Sequence, residues 1–350
     1  MMDSLVERAE GELRDMRVPE ALQLFNDAET ASSQLDACAA GRWQCYMLLG
    51  DFERAWCESD LISRRGHPDP NRFWDGRPLD CHRVLIRCLH GLGDTIQFIR
   101  YAPLVRAVAR SVIIEAQPKL KALLSQSGLA DQVITWSEPE PPWDRQVEVI
   151  ELPRVFRTTL DTIPAHVPYL HDGAASTDIL SSHPASFRVG IAWNSSTFNP
   201  ARSIAVEKMA PMFKLPGVTF FGLQAGSEHT ELSPWSSIVT DLYDRVSTIH
   251  DTARILKSLH LVITVDTMTA HLAGALAVPV WTMLPHQCDW RWMLQRTDSP
   301  WYPTMRLFRQ PEPGNWSAVV DQVVQALASV TQSRQNGKGC YSGVTPGIVK

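Results

Sequence analysis

Two series of apolar, β-branched strands alternating with helical segments limit the fold more than any other feature of the chain. The first series runs "RVLIRCL" (83–89), "SVIIEA" (111–116), "QVITW" (132–136) and "VEVIEL" (147–152), with helical patterns over 94–110 and 117–127. The second runs "FRVGIAWN" (187–194), "VTFFGLQ" (218–224), "LVITVD" (261–266) and "PVWTML" (279–284), with helices expected near 206–214, 248–260 and 267–277. Strands this uniformly apolar are covered on both faces, which is the condition of parallel sheets flanked by helices. Two such series predict a two-lobed α/β protein, and 350 residues provide for two domains and a smaller extra element. The small, polar stretch "HDGAASTDILSSHPAS" (171–186) reads as the linker between the lobes. Parallel sheets bind ligands beyond the carboxyl ends of their strands, so chemistry is expected in the loops after Leu89, Asn194, Gln224 and Val265.

The first 66 residues lack strand-like alternation and carry helical periodicity. Within them "WQCYMLLGDFERAW" (43–56) resembles a tetratricopeptide repeat, with Trp43, Leu48, Gly50 and Ala55 where that repeat packs one helix on the next. Only one or two units fit, too few to bury a continuous core alone, so the segment is expected to pack against the following domain. "GHPDPNRFWDGRP" (66–78) marks the junction. The expected organisation is a helical segment over 1–75, a first lobe over 76–180 and a second over 181–333. The polar end "TQSRQNGKGCYSGVTPGIVK" (331–350) is expected to fray, leaving 334–350 as a flexible tail.

Charge and composition remove several classes of function. With 33 basic and 38 acidic residues mixed along the chain, there is no basic stripe to neutralise a nucleic-acid backbone, so nucleic acid is not an expected partner. The charged start "MMDSLVERAEGEL" lacks a signal-peptide core, and no run of about 18 apolar residues occurs, so a cytoplasmic protein with no membrane span is expected. Seven scattered cysteines form no Cys-x-x-Cys pair and indicate neither a disulfide framework nor a zinc site.

The loop "HGLGDT" after the first strand partly matches a dinucleotide fingerprint. Gly91 and Gly93 provide the Gly-x-Gly, and Glu115 stands where a ribose-binding acid would. Ile96 replaces the third glycine, which argues against a nicotinamide cofactor because that glycine lets helix and strand approach beneath the pyrophosphate. Asp94 then has two readings, a helix N-cap or a carboxylate presented to a substrate over two glycines that allow close approach. In "DTMTAHLAGALAVPV", Asp266 and Thr267 occupy a strand-to-helix turn whose free N–H groups suit an anion. His271, one turn on, either lines the same cleft or is an interior histidine. In "AWNSSTFNPARSI", Asn194, Ser195, Ser196 and Thr197 offer polar donors, although such loops are usually only solvated turns, and Arg202 offers a planar fork suited to a diphosphate. Gln224 and Glu228 could reach a base or ribose, or be plain surface. The belt "CDWRWMLQRTDSPWYPTMRLFRQPEPGNW", dense in Trp, Arg and Pro, reads as core with arginines stacked on indoles, a sugar platform being the alternative.

Taken in order, "GLGDTIQFIRYAPL", "GIAWNSSTFNPARSI", "DTARILKSLHLVITVDTMTAHLAGAL" and "DWRWMLQRTDSPWYPTMRLFRQ" resemble glycosyltransferase family nine, the ADP-heptose heptosyltransferases, and especially bacterial relatives with tetratricopeptide repeats before the transferase. The resemblance covers about residues 40 to 330. It implies a GT-B fold of two Rossmann-like lobes facing across a cleft, and transfer of a sugar from a nucleotide-diphosphate donor with inversion. It also implies Asp94 as base and Asp266, Thr267 and His271 at the donor diphosphate. Arg202 is carried over as a phosphate contact, with Gln224 and Glu228 on the nucleoside side. His90, Gly91, Gly93 and Gln97 form the acceptor-side loop. Met268 stands where the family commonly has glycine after Asp-Thr, and a thioether there crowds the donor.

Sugar transfer needs a base for the acceptor hydroxyl and compensation for charge on the departing diphosphate. No two aspartates are spaced i, i+2, so no Asp-x-Asp metal motif is present, and Arg202 with the helix beginning at Thr267 would meet the second need without metal. The expected partners are a nucleotide sugar and a glycan, lipopolysaccharide-core or protein acceptor, and no further cofactor is expected. The N-terminal helices are a possible protein-binding element. Two rival readings stand beside this one: a non-catalytic binding or scaffold protein derived from such a transferase, and a nucleotide-sugar epimerase of the same architecture.

Overall fold

The computed structural model describes residues 5–31, 34–79, 81–173, 180, 186–195 and 199–335. Four helices come first: α1 (Leu5–Arg14), α2 (Val18–Ala31), α3 (Leu35–Leu49) and α4 (Phe52–Gly66). They pair in sequence as α1 on α2 and α3 on α4, with α2 on α3 joining the pairs. Gly41 leaves the space into which the Phe25 ring fits, letting α2 and α3 approach closely. A bidentate pair from Arg42 to Glu58 (2.8 and 2.8 Å), joined by Glu29 (2.9 Å), fastens α3 to both neighbours.

This segment does not stand free. Trp43 meets Trp290 edge to face at 5.6 Å, Phe52 stacks on Trp301 at 6.1 Å, and Trp56 Nε1 donates to the Thr158 carbonyl at 2.7 Å. Its apolar face is therefore closed by residues 158 and 290–301.

The first lobe is a four-stranded parallel sheet of β1 (Arg83–Arg87), β2 (Ser111–Ala116), β3 (Gln132–Thr135) and β4 (Arg145–Glu148), in the order β3-β2-β1-β4. Its crossover helices are α5 (Leu92–Phe98), α6 (Ala102–Val108) and α7 (Lys121–Gln126), and α8 (Leu152–Val155) follows the last strand. The expected single helix over 94–110 is divided by a 3-10 turn at Ile99–Tyr101, just before Pro103. The fourth strand ends at Glu148, short of the expected 152, because Val149–Glu151 turn into 3-10 geometry.

The second lobe is a six-stranded parallel sheet in the order β10-β9-β8-β5-β6-β7. Its strands are β5 (Phe187–Ala192), β6 (Val218–Gly222), β7 (Val239–Asp241), β8 (Leu261–Val265), β9 (Val280–Leu284) and β10 (Met305–Arg309). Helices α9 (Ala210–Phe213), α10 (Ile249–Lys257), α11 (Met268–Ala275) and α12 (Trp316–Gln335) cover it. Strands β7 and β10 and helix α12 were not expected. Helix α12 buries Trp316, Val319, Val320, Val323 and Leu327, a 3–4 spacing that carries the chain through 331–335, where fraying was expected. Residues 336–350 lie outside the described residues, as does most of the expected linker. The Trp- and Arg-rich belt is core: Trp292, Trp301 and Tyr302 are fully buried.

In each sheet the strand order reverses once, between β1 and β4 and between β5 and β8. The loops after β1, β5 and β8 therefore stand at topological switch points, where open α/β sheets bind ligands. Helix α5 from the first switch point packs on α11 from the second, joining the lobes at that place. Among the described residues no helix is long and apolar enough to cross a membrane.

Candidate functional site

Asp94 is the third residue of α5. Its Oδ2 accepts the Gly91 backbone N–H at 2.9 Å, which caps the helix start from the third residue. A Cβ on Gly91 would lie 3.0 Å from that oxygen, so the glycine gives the carboxylate its place. The other oxygen, Oδ1, accepts Arg291 Nη2 at 2.5 Å. The Asp94 side chain keeps 29% of its surface exposed. Both readings of this residue have a physical basis, since it caps the helix and still presents a carboxylate to a cavity.

That cavity, about 240 Å³, is walled by three parts of the molecule: Trp43, Trp56 and Ser59 from the helical segment, His90, Asp94 and Phe98 from the first lobe, and Trp290 and Arg291 from the second. His90 Nε2 lies 2.9 Å from Glu148 Oε1, and its carbonyl accepts Gln117 Nε2 at 2.7 Å, which fixes the loop from both ends.

Gly93 serves a different contact. A Cβ there would come within 2.9 Å of His271 Cδ2, so the space it leaves is taken by an imidazole from α11. Gln97 is buried; its Oε1 accepts Arg291 Nε at 2.8 Å, and its Nε2 has no hydrogen-bond partner.

Arg291 is the functional candidate that the sequence reading missed. Its Nη1 bonds both oxygens of Asp289 (2.9 and 3.0 Å), its Nε holds Gln97 and its Nη2 holds Asp94. The guanidinium also lies over the rings of Trp290 (4.8 Å) and Phe98 (5.2 Å), and only 14% of the side chain is exposed. One second-lobe cation thus ties the first-lobe carboxylate in place. The belt's arginines were legible as ring-stacking partners, but nothing in the spacing said which of them reaches Asp94.

The second switch point carries Asp266, Thr267 and Arg202. Asp266 closes β8 with 5% of its side chain exposed; its Oδ2 lies 3.4 Å from Arg202 Nη1 and its Oδ1 3.9 Å from His271 Nε2. Burial, then the nearby Asp289 carboxylate, raises the Asp266 carboxyl above its ordinary value, with Arg202, the Trp292 indole and Arg291 opposing. Thr267 is the extended N-cap of α11, and its side chain does not cap the helix; Ala270 N–H bonds back to the Thr267 carbonyl at 3.0 Å, which leaves the amides of Met268 and Thr269 for another acceptor. Arg202 Nε, a buried donor beside this turn, has no hydrogen-bond partner, while the Trp292 indole N–H faces the Asp266 carboxylate. Buried donors are seldom left unmatched, so Arg202 beside the turn is suited to an anionic group.

His271 is interior. It is 6% exposed, its Nδ1 is 3.0 Å from the Tyr302 hydroxyl, and its ring stacks on Trp292 at 5.4 Å. Burial, with Arg291, Arg100 and Arg202 nearby, holds its pKa well below 6.5, so it stays neutral. Arg100 lies on the same seam, donating to the Gln97 carbonyl (2.7 Å), the Tyr169 hydroxyl (2.9 Å) and the Trp301 carbonyl, with the Tyr302 ring 4.4 Å below it.

Gln224 and Glu228 stand apart from this cluster of interactions. Gln224 is buried, and its Oε1 accepts the backbone N–H groups of Trp193 (3.1 Å) and Asn194 (2.9 Å), so it shapes the loop after β5 from within. Glu228 is half-buried on the 3-10 turn after β6, folded back over Gly226. Ser195 Oγ donates to the Asn199 carbonyl at 2.9 Å, whereas Ser196 and Thr197 lie outside the described residues. Among the described residues, no group of three or more His, Cys, Asp or Glu side chains is placed to hold a metal ion.

No family model matches the chain. Over 298 residues, 75% of the chain, it is 24% identical to protein FlbA of Caulobacter vibrioides, and the match spans 49% of that protein, so the chain covers about half its length. Among solved structures it is similar to a glycosyltransferase family 9 protein of Veillonella parvula (TM-score 0.51, 14% identity, 74% of this chain and 99% of that one). It is similar to the ADP-heptose lipopolysaccharide heptosyltransferase II of E. coli (TM-score 0.50, 12% identity, 72% and 99%). A third likeness is to the iron-containing dodecameric glycosyltransferase TibC of enterotoxigenic E. coli (TM-score 0.52, 12% identity, 75% and 79%). The likeness at these identities is one of fold, and in each case it leaves out about a quarter of this chain. The chain has the two-lobed α/β, GT-B-like fold seen in family 9 heptosyltransferases, with a helical segment preceding it.

Proposed function

We propose that this protein is an inverting, metal-independent glycosyltransferase that moves a sugar from a nucleotide-diphosphate sugar to a hydroxyl acceptor. The observation that carries this reading is the meeting of two switch-point loops: the Asp94 carboxylate of the first lobe and the turn at Asp266–Thr267 of the second, brought together where α5 packs on α11. In the proposed reaction the acceptor oxygen attacks the anomeric carbon on the face opposite the diphosphate. Asp94 takes the hydroxyl proton late, as the new bond forms, and the electron pair of the breaking C–O bond leaves with the diphosphate. Arg202 and the first amides of α11 are the groups suited to compensating that charge. A carboxylate has about four lone-pair sites, so its bonds to Gly91 and Arg291 leave Asp94 able to accept a proton.

The same two bonds favour a second reading, in which Asp94 is a structural cap and lobe tie in a non-catalytic nucleotide-sugar-binding or scaffold protein. Nucleotide-diphosphate release from a panel of sugar nucleotides, in EDTA, separates the two. Transferase function is expected to give turnover with at least one donor, reduced about 10²- to 10⁴-fold in Asp94→Ala. Equal rates in the two proteins would remove Asp94 as base. Activity that appears only on adding a metal would remove the metal-independent mechanism. Calorimetric binding of a nucleotide sugar without turnover would favour the scaffold.

A further inference from the structure

The chamber at Asp94 is the inner end of a longer groove. A second cavity of about 900 Å³ adjoins it, and Ser59, Glu151 and Arg154 line both. One wall of the outer groove is helix α4, through Ser59, Ile62 and Ser63; the other is the carboxyl edge of the first sheet and α8. The outer end is closed by the 68–75 junction, where Trp74 N–H donates to the Gln146 carbonyl at 2.9 Å and so extends the sheet past β4. Neither lobe alone forms this groove, which exists because the helical segment is docked beside the first sheet.

We propose that the groove binds the acceptor, and that the acceptor is an extended polypeptide segment whose serine or threonine hydroxyl enters the inner chamber. This rests on Asp94 being the base. Size is the first argument: pockets for small ligands run from about 300 to 1,000 Å³. The outer groove alone reaches the top of that range, whereas the inner chamber, at about 240 Å³, suits a single side chain.

Charge is the second argument. The groove carries Arg72, Arg87 and Arg154 against Asp75, Glu148 and Glu151. Several of these are already matched, Arg87 to Glu115 and Glu140, Arg154 to Glu151 and Asp60, Glu148 to His90 and Asp75 to Arg77. No surplus of positive charge awaits a phosphorylated glycolipid.

The third is the apolar lining. Two aromatic side chains line it: Phe73, 45% exposed with the Arg72 guanidinium 5.8 Å from its ring, and Trp74, buried and edge to face with Phe156 at 5.6 Å. The remaining apolar lining is aliphatic and prolyl, including Ile62, Pro68, Pro70, Leu89 and Val155, which fits peptide side chains. The transfer step balances as before. The Ser or Thr oxygen bonds to the anomeric carbon, its proton passes to Asp94, and the diphosphate departs with the electron pair.

The test applies the protein to an array of random-sequence peptides with one central serine or threonine, beside neutral oligosaccharides and vesicles of lipooligosaccharide. Wild type is compared with Ile62→Arg and, should that variant fail to fold by circular dichroism, Ser63→Arg; each puts a long cationic chain into the groove. Wild type is expected to retain peptides, at least about tenfold more tightly than a folded blocking variant. Amide exchange is expected to slow over 59–75 and 145–155 when a retained peptide is added. Retention of oligosaccharides or vesicles without peptides, equal peptide binding by the blocked variant, or protection confined to other residues would overturn the proposal. The transferase reading is checked separately with nucleotide sugars. Sugar transfer to the oligosaccharide alone refutes the peptide acceptor and leaves the transferase standing, whereas failure to bind any nucleotide refutes the transferase and leaves the peptide result to stand by itself.

Discussion

Asp94 and Asp266 occupy comparable places, each at a strand-to-helix turn on the switch point of a parallel sheet, yet their surroundings differ. Asp94 keeps 29% of its side chain open, caps its own helix and is held by an arginine from the other lobe. Asp266 is 5% exposed, faces a longer contact to Arg202 at 3.4 Å, and is raised by burial. One residue type in one kind of loop is thus a held, accessible carboxylate in the first lobe and an interior group beneath a donor-rich turn in the second. Position in the fold nominates such residues, and environment assigns the work.

The comparison can be broken in four ways, from the largest expected effect to the smallest. Asp94→Asn keeps the shape and, with its amide oxygen on the Gly91 N–H, the cap, but it removes the basic oxygen and turns an amide NH2 toward Arg291, so transfer is expected to fall about 10²- to 10⁴-fold. Calorimetric donor affinity should change little, and weakened donor binding would place phosphate at the Asp94 loop. Arg291→Ala is expected to lower kcat about 10- to 100-fold, because it frees Asp94 and strands the Asp289 and Gln97 acceptors. Arg291→Lys should recover only part of it, since an ammonium cannot reproduce the fork to three partners. Full recovery in the lysine variant would reduce Arg291 to a charge.

Gly93→Ala puts a methyl group 2.9 Å from His271 Cδ2 and is expected to cost about 1–3 kcal/mol, measured by urea unfolding. A neutral result would mean that α5 and α11 are not pressed together as described. The smallest effects are in pH. The lowered pKa of His271 means the folded state resists a proton that the unfolded chain takes up, so stability is expected to be lost as pH falls below 6.5, and His271→Gln should flatten that slope. Asp266 is raised, which reverses the sign: relative to Asp266→Asn, wild type should lose stability as pH rises above 3.8 and through the raised value. Parallel curves in either pair would contradict the interior placement of that residue.

Much of the architecture was legible because apolar strand runs and their spacing carry it: eight of the ten strands among the described residues, and the two-sheet division, follow from residues such as "VLIR" and "LVITV". β7 is three residues with one buried side chain, too short to leave a pattern, and β10 was hidden inside a belt read for its Trp and Arg content. Helix α12 carries its 3–4 spacing directly into a polar tail, which masks the apolar stripe of Trp316, Val319, Val320, Val323 and Leu327. Asp94, Asp266 and Thr267 were nominated because switch-point loops precede helices, a local signal. Arg291 and the groove were not, because both depend on which surfaces meet across 197 residues of chain in one case and between α4 and the first sheet in the other. Gln224 shows the converse: a polar residue at a strand end that turns inward to hold backbone amides.

The most direct measurement is a crystal structure of the protein with a nucleotide diphosphate bound. The expected result places the phosphates at the start of α11, within hydrogen-bond distance of the Thr267 turn and Arg202, with Asp94 facing the vacated sugar position. Phosphates seated instead on the Gly91–Gly93 loop, against Asp94, would contradict the assignment of donor and acceptor to the two lobes.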